Sequence, residues 1–395
     1  MDGNVAIIME RADIALGGAE RSVLELATSL SARGLKVDVF AATGRLNTRS
    51  IHVVCPEAPR KRVSLRTFAK ALRPRLAEKH YDIVHSVLPF DFADIYHPRG
   101  GTYAESVLRS AASYRNGLIR SYKRLTAFAN RRRSALLGAE RRLCRNIDGP
   151  VIVALSKYVA AQLKQHYATA AERIVVIPNG VRTDKRINTH EADSLRTQIL
   201  THLNLKEADD PVLLLFVANN FRLKGLGPLI EAMSLAVRRP GERPAYLVAV
   251  GAGRTGIYRR LAARLGIQDR ILFLGPVPHI QNALSVTDVA VLPTYHDPSR
   301  RYVLEAIAAG KPVITTSFNG AADLFVHTRH GMVVDSPDNI PELAQAIVHF
   351  SSTDNIRTAS GAIADDNLKE RVSVARVADR LVSLYESILE KKGRR

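Results

Sequence analysis

A chain of 395 residues is too long for one ordinary compact core, and two domains are expected. Its 46% hydrophobic and 24% charged residues exclude a disordered chain, and no apolar run approaches the roughly 18 residues that cross a bilayer. The formal net charge of +19 points either to an anionic partner, whether nucleic acid, a membrane surface or a phosphorylated ligand, or to a merely solvated basic surface.

The two cysteines, Cys55 and Cys144, have no His or Cys companions at ligand spacing, so neither a metal site nor a disulfide framework is expected. The first apolar run, Val5–Met9, follows no basic, signal-like segment, and a reducing cytoplasm is the expected compartment.

From Val5–Met9 the chain alternates strand-like and helical patterns: a helix over Ala19–Arg33, a strand over Lys36–Ala41, a helix over Leu65–Lys79, and a strand over Tyr81–Ser86. Such alternation predicts βαβ units on a parallel sheet. Val23, Leu26, Ala27 and Leu30 share one face of the first helix, and Gly34 is placed to end it. A further strand is predicted over Asp94–His97.

Ala104–Asp148 differs from the rest. It is helical in pattern, its Arg and Lys far outnumber Glu105, Glu140 and Asp148, and Leu118, Ile119, Tyr122, Leu125, Leu136 and Leu137 are interleaved. Two readings stand open: a solvated helical pair packed on the first domain, or a surface for an anionic leaflet with Arg131, Arg132 and Arg133 as its cations.

Strand Ile174–Ile177 runs into the turn Ile177–Val181, whose Pro, Asn and Gly mark the interdomain linker. The domains are expected at 1–177 and 182–368. The second repeats the alternation: strands over Val212–Ala218, Ala245–Val250, Ile271–Leu274, Val289–Leu292 and Val313–Thr316, separated by helices over Leu226–Arg238, Gly256–Leu265, Ile280–Thr287 and Tyr302–Ala309. Both domains thus read as doubly wound α/β sheets. Ile340–Phe350 and Lys369–Leu389 are helical by period and lead to the basic tail Lys391–Arg395.

Three constellations could carry chemistry. Gly17-Gly18-Ala19-Glu20-Arg21, between the first strand and helix, is either a tight turn or a backbone cradle for an anion at a helix N-terminus. Within Asn219–Gly225, Arg222 and Lys224 either reach a diphosphate at the carboxyl end of a parallel strand or remain solvated loop charges. Asp297 and Glu305 flank a loop-to-helix transition. One can face a sugar and the other a ribose, or they are a turn former and a first-turn carboxylate.

In this order, Gly-Gly-Ala-Glu-Arg, Ile177–Val181, Arg222 with Lys224-Gly225, Val248–Gly253 and the carboxylate pair resemble glycosyltransferase family 4, in particular bacterial lipopolysaccharide core glucosyltransferases. The resemblance implies the GT-B fold, two facing Rossmann-like domains with a C-terminal helix, about 370–395, crossing back to the first. It implies a retaining enzyme without metal or other cofactor. Glu305 would hold the donor ribose, Asp297 the donor sugar, Arg222 and Lys224 the diphosphate, and Gly18 the distal phosphate, with His97 near the reacting sugar.

This chain departs from the family pattern in three places: Asp297 stands where Glu is usual, Arg300 where Gly is usual, and Leu223 where a basic residue is common. Arg222 or Arg300 would supply the displaced charge. The expected reaction is transfer of a hexose from a UDP-sugar, UDP-glucose being the candidate donor, to a lipopolysaccharide-like, lipid-linked or other saccharide acceptor. The enzyme would be cytoplasmic, peripheral on the inner face of the cell membrane. Two competitors are a nucleotide-sugar epimerase of the same fold and a basic nucleic-acid-binding protein. Against the latter stand 6% aromatic residues and no Trp, so no nucleic-acid partner is expected.

Overall fold

The structure is a computed structural model that describes residues 3–13, 18–56, 63–239, 241–299 and 301–393. It divides into two compact units: Met1–Leu108 with Ser121–Arg182 and Ser373–Arg395, and Arg109–Arg120 with Thr183–Val372.

In chain order the elements up to the linker are β1 (Asn4–Ala12), α1 (Gly18–Ser31), β2 (Lys36–Gly44), β3 (Ile51–Val53), α2 (Leu65–Ala77), β4 (Ile83–Ser86) and β5 (Ile95–Tyr96). Then come α3 (Tyr103–Ala112), α4 (Gly117–Leu125), α5 (Arg131–Arg145), β6 (Val151–Ala154), α6 (Lys157–Tyr167) and β7 (Ile174–Val176). The seven strands form one parallel sheet in the order β3-β2-β1-β4-β5-β6-β7. Val5, Ile7 and Met9 face one side of it and Ala6 and Ile8 the other, all buried, as expected of a strand covered on both faces.

Helix α1 closes one face through Val23, Leu26, Ala27 and Leu30. Removing each larger side chain from water stabilises the unit by about 1.5–3 kcal/mol. Side-chain caps start the helices where the sequence supplies them: Ser64 accepts from the Thr67 N–H at 3.1 Å before α2, and Ser156 from Val159 at 3.1 Å before α6.

The elements beyond are α7 (Thr189–His202), β8 (Val212–Val217), α8 (Leu226–Val237), β9 (Ala245–Val250), α9 (Gly256–Arg264), β10 (Ile271–Gly275), α10 (Ile280–Ser285) and β11 (Val289–Leu292). They continue with α11 (Arg301–Ala308), β12 (Val313–Thr316), β13 (Gly331–Val334), α12 (Ile340–His349), α13 (Thr353–Asp365), α14 (Leu368–Arg371) and α15 (Val374–Gly393). The second sheet is again parallel, ordered β10-β9-β8-β11-β12-β13.

Helix α15 belongs to the first unit. Val377, Ala378, Leu381, Tyr385 and Ile388 join the α1 cluster, and Arg33 clamps the helix through Asp379 at 2.5 Å and the Ala375 carbonyl at 2.7 Å.

The basic stretch 104–148 breaks into three helices with different surroundings. On α5, Leu136, Glu140, Leu143 and Cys144 are buried. On α4 no residue is buried, and Leu118 is 83% exposed, Tyr122 62% and Leu125 78%. Arg109–Arg120 fall with the second unit, a division that no local sequence pattern signals. Among the described residues no helix is long and apolar enough to cross a membrane.

Candidate functional site

In the second sheet β8 and β11 are neighbours, while the chain winds outward from them in both directions. The loops that follow such a pair leave to opposite sides and open a crevice at the carboxyl ends of the strands, where ligands of doubly wound sheets bind. Those two loops contain Lys224 and Asp297.

The two loops are pressed together so closely that a side chain is excluded at Gly225, which has φ +79° and where a Cβ would lie 1.9 Å from the Pro293 carbonyl oxygen. The loop after β9 approaches the one after β8 in the same way: Gly251 has φ +140° and its Cβ would lie 1.8 Å from the Ala218 carbonyl oxygen.

This approach brings Lys224 onto Asp297. The Lys224 Nζ donates to Asp297 Oδ2 at 2.5 Å and to the His296 carbonyl at 2.8 Å, and the two residues are 8% and 5% exposed. Charges so far from water persist only when each compensates the other. Asp297 is itself fixed: its N–H donates to the Phe318 carbonyl at 2.9 Å, its carbonyl accepts from Gly320 at 2.8 Å, and Oδ1 accepts from the Ser299 N–H at 3.3 Å.

Glu305 lies on α11 with its side chain 10% exposed. Arg301, one turn earlier, reaches it through Nε at 3.0 Å, and Lys185 Nζ stands 3.8 Å away. Arg222 does not join the Lys224–Asp297 pair. Its guanidinium lies 3.7 Å from the centroid of the Tyr114 ring and donates to the Ser110 carbonyl at 3.0 Å and to the Ser113 hydroxyl. A flat, weakly hydrated cation gains from such a face, which accounts for its turning aside. Gly17 and Arg300, both expected at the donor site, lie outside the described residues. Gly18 is exposed at the start of α1.

In the first unit the corresponding strand pair is β1 and β4. His97 follows β5 and is fully buried. Its Nδ1 lies 3.0 Å from His85 Nε2, and His85 Nδ1 lies 2.6 Å from the Tyr385 hydroxyl. Arg99 Nη1 lies 3.1 Å from His97 Nε2, and its Nη2 donates to the Ser22 hydroxyl, itself 3.4 Å from Asn179 Oδ1. Burial, aided by the Arg99 charge, pushes the pKa of His85 down to about 3 and holds His97 well below the usual imidazole range.

Of the three basic residues expected at a membrane, Arg132 is engaged inside the first unit: Nη2 pairs with Glu10 at 2.6 Å and Nη1 donates to the Val63 carbonyl at 2.8 Å. Arg131 and Arg133 are exposed. With Glu10, Phe68, Leu88 and Leu136, Arg131 and Arg132 line a cavity of about 310 Å³.

Sequence reasoning missed Lys185, Arg301, His85, Arg99 and Tyr385. A signal existed for His85, a second histidine on the predicted strand beside that of His97. For Tyr385 there was only a position on the apolar face of the last helix, which reads as core.

Two family models match the chain: Glycosyltransferase Family 4 over residues 16–185 and Glycosyl transferases group 1 over residues 211–353. The lipopolysaccharide glucosyltransferase WaaG of Escherichia coli (strain K12) is 25% identical over 343 residues, covering 84% of this chain and 85% of WaaG. The D-inositol 3-phosphate glycosyltransferase of Geodermatophilus obscurus is 27% identical over 357 residues, 82% of this chain and 75% of that protein. Among solved structures, Anabaena HepE in complex with UDP-glucose shares the fold with a TM-score of 0.68 at 18% identity, covering 98% of this chain and 100% of that one.

Proposed function

The chain is a family 4 glycosyltransferase of GT-B architecture, and we propose that it moves a hexose from a UDP-sugar to a saccharide acceptor with net retention and without a metal ion. The observation that carries this reading is the buried Lys224–Asp297 pair at the strand-order reversal of the second sheet, with Glu305 on the helix that follows.

In this reading Lys224 meets the charge that grows on the departing diphosphate, the role a divalent ion has elsewhere. Asp297 orients that ammonium and accepts from sugar hydroxyls, and Glu305 accepts from the ribose. Arg300 adds positive charge around the phosphates, and Arg222, held against Tyr114 and the Ser110 carbonyl, contributes through its field rather than by contact. In the first unit Gly17 and Gly18 are assigned to the distal phosphate and His97 to the reacting sugar.

UDP-glucose is the first donor to test. WaaG is named a lipopolysaccharide glucosyltransferase and HepE has been solved with UDP-glucose, and both likenesses favour it. We assign a lipid-linked, lipopolysaccharide-like acceptor, reached at the cytoplasmic membrane face. The open apolar residues of α4, set among Arg120, Lys123 and Arg124, suit a peripheral contact with anionic lipid.

The test is a thermal-shift comparison of UDP-, GDP- and ADP-sugars, each with and without EDTA. A true donor at 100 times its Kd should add about 2.7 kcal/mol of stability. Stabilisation by UDP-glucose that survives EDTA, and a product whose anomeric proton keeps the donor configuration by NMR, are the expected results. A preference for another base, a strict need for a divalent ion, or an inverted product would overturn the corresponding part.

A further inference from the structure

One cavity of the first unit has no part in the donor roles assigned above. It lies on the face of the sheet opposite α1 and α15, between the beginnings of α2 and α5, and its volume of about 310 Å³ is that of a small-ligand pocket. Ala42, Phe68, Leu88 and Leu136 form its inner wall, all of them buried members of one apolar cluster. Ser64, Arg131 and Ala135 form its exposed rim, and the half-buried Glu10 and Arg132 complete it.

Among the described residues three charged side chains line this cavity, and they do not cancel. Arg132 Nη2 pairs with Glu10 at 2.6 Å and Nη1 donates to the Val63 carbonyl at 2.8 Å, while its buried Nε–H has no acceptor among the described residues. The Arg131 guanidinium makes neither an ion pair nor a hydrogen bond among them. The mouth therefore carries one positive charge in excess and a buried donor that is costly to leave unmade. The interior is the reverse. A buried water needs about two to four polar partners, which apolar walls do not supply, so a hydrocarbon fills such a space better.

The ligand that fits is apolar along its length and anionic at one end. We propose that this cavity takes one acyl chain of an anionic membrane phospholipid, with the phosphate held at the mouth by Arg131 and the Arg132 Nε–H. Free phosphate would leave the apolar wall unused, and an uncharged chain would leave the orphaned donor unmet. A bilayer is a near source. Leu125, 78% exposed at the end of α4, stands six positions before Arg131, and a chain spans at most about 3.6 Å per residue, so the two lie within about 22 Å. The origin of the lipid rests on the membrane contact proposed above, whereas the fit of the cavity does not.

The experiment is calorimetric titration of the full chain with decyl phosphate, inorganic phosphate, 1-decanol and decyltrimethylammonium, each below its micelle-forming concentration. Decyl phosphate should bind at one site, at least about 100-fold more tightly than inorganic phosphate and about tenfold more tightly than the alcohol or the ammonium. Along a series of alkyl phosphates, affinity should rise about fourfold per methylene until the chain fills the cavity and then level off. Ala135→Phe narrows the rim and should weaken decyl phosphate by about tenfold, with inorganic phosphate within about twofold. Arg131→Glu should weaken decyl phosphate by about tenfold and leave 1-decanol within about twofold. Both positions are exposed, and circular dichroism checks that the variants fold.

Inorganic phosphate binding as tightly as decyl phosphate would overturn the proposal in favour of a free anion. Equal binding of the ammonium, or a folded Ala135→Phe with wild-type affinity for decyl phosphate, would overturn it outright. On phosphatidylglycerol vesicles Ala135→Phe should bind about threefold more weakly than wild type, and equal binding there would overturn the phospholipid as the occupant. Wild-type protein that takes decyl phosphate as expected but binds no anionic vesicle would instead overturn the membrane contact of α4.

Discussion

At the carboxyl ends of β8 and β11 the second unit buries a full ion pair, whereas beside β4 and β5 the first unit buries two imidazoles and a phenol that are all neutral. Both sheets have the same winding about a central strand pair, so the difference comes from the side chains placed there: loop residues in the second unit, and residues of β4, α15 and the segment after β5 in the first. The ion pair fixes a charge at one point and must be matched on both sides. The neutral line fixes a direction and tolerates no added proton. A site that meets a diphosphate requires the first property.

The most disruptive way to break this contrast is to remove one member of the ion pair. Lys224→Ala deletes the cation proposed to face the leaving diphosphate and should lower kcat by about 10²- to 10³-fold, the loss typical of one preorganised donor. It also leaves Asp297 buried and unpaired, which costs about 3–5 kcal/mol. The double variant Lys224→Met with Asp297→Asn should recover much of that stability in urea melts and none of the activity. Equal stability of the single and double variants would mean that the pair is not compensated as described.

A second comparison uses pH. The folded-state pKa of His85 lies below its ordinary 6.5, so the unfolded chain binds the extra proton, and stability falls as pH drops from about 6.5 towards 3. His97 acts in the same direction. Glu140 opposes them. Burial raises it from 4.5 to about 7, despite hydrogen bonds from Tyr167, Tyr96 and the Tyr103 N–H, so its contribution is present below about pH 4.5 and is lost as pH rises to 7.

Urea melts at pH 7, 5.5 and 4.5 should therefore show His85→Gln flattening the acid loss of stability and Glu140→Gln steepening it. Each pKa unit corresponds to about 1.4 kcal/mol. Parallel pH profiles for wild type and both variants would contradict the assignment of neutral rings.

The smallest effect concerns the surface. Arg131 and Arg133 are exposed whereas Arg132 is paired with Glu10, so charge reversal at Arg131 and Arg133, or at Arg120, Lys123 and Arg124 on α4, should weaken binding to anionic vesicles by about 1 kcal/mol per charge. Arg132→Glu should instead destabilise the first unit. Co-sedimentation with anionic and zwitterionic vesicles at two salt concentrations reads both effects. Equal binding to the two lipids would sink the membrane contact.

The sequence made the sheets legible because their strands are short apolar runs covered on both faces, and the helices legible because Val23, Leu26 and Leu30, for example, repeat at helical spacing. Element ends were less so: α11 starts at Arg301 rather than Tyr302, and β5 pairs only through Ile95 and Tyr96. Lys224 and Asp297 each stood out in a loop, but 73 positions separate them, and nothing local announces that the loops meet. Arg222 looked equivalent to Lys224 by charge. Its neighbour Tyr114, distant in sequence, draws it away. Tyr385 was concealed in the same way, since an apolar helix face conceals a polar tip whose partner lies on a strand.

The most direct test of the central claim is calorimetric titration of UDP-glucose into wild type and Glu305→Ala, with circular dichroism confirming that the variant is folded. Glu305 is proposed to accept hydrogen bonds from the ribose, and a bond to a charged group is worth about 1.5–3 kcal/mol, so the variant should bind roughly 10- to 100-fold more weakly. Wild-type affinity for UDP-glucose in a folded Glu305→Ala chain would contradict the placing of the donor at the carboxyl ends of the second sheet.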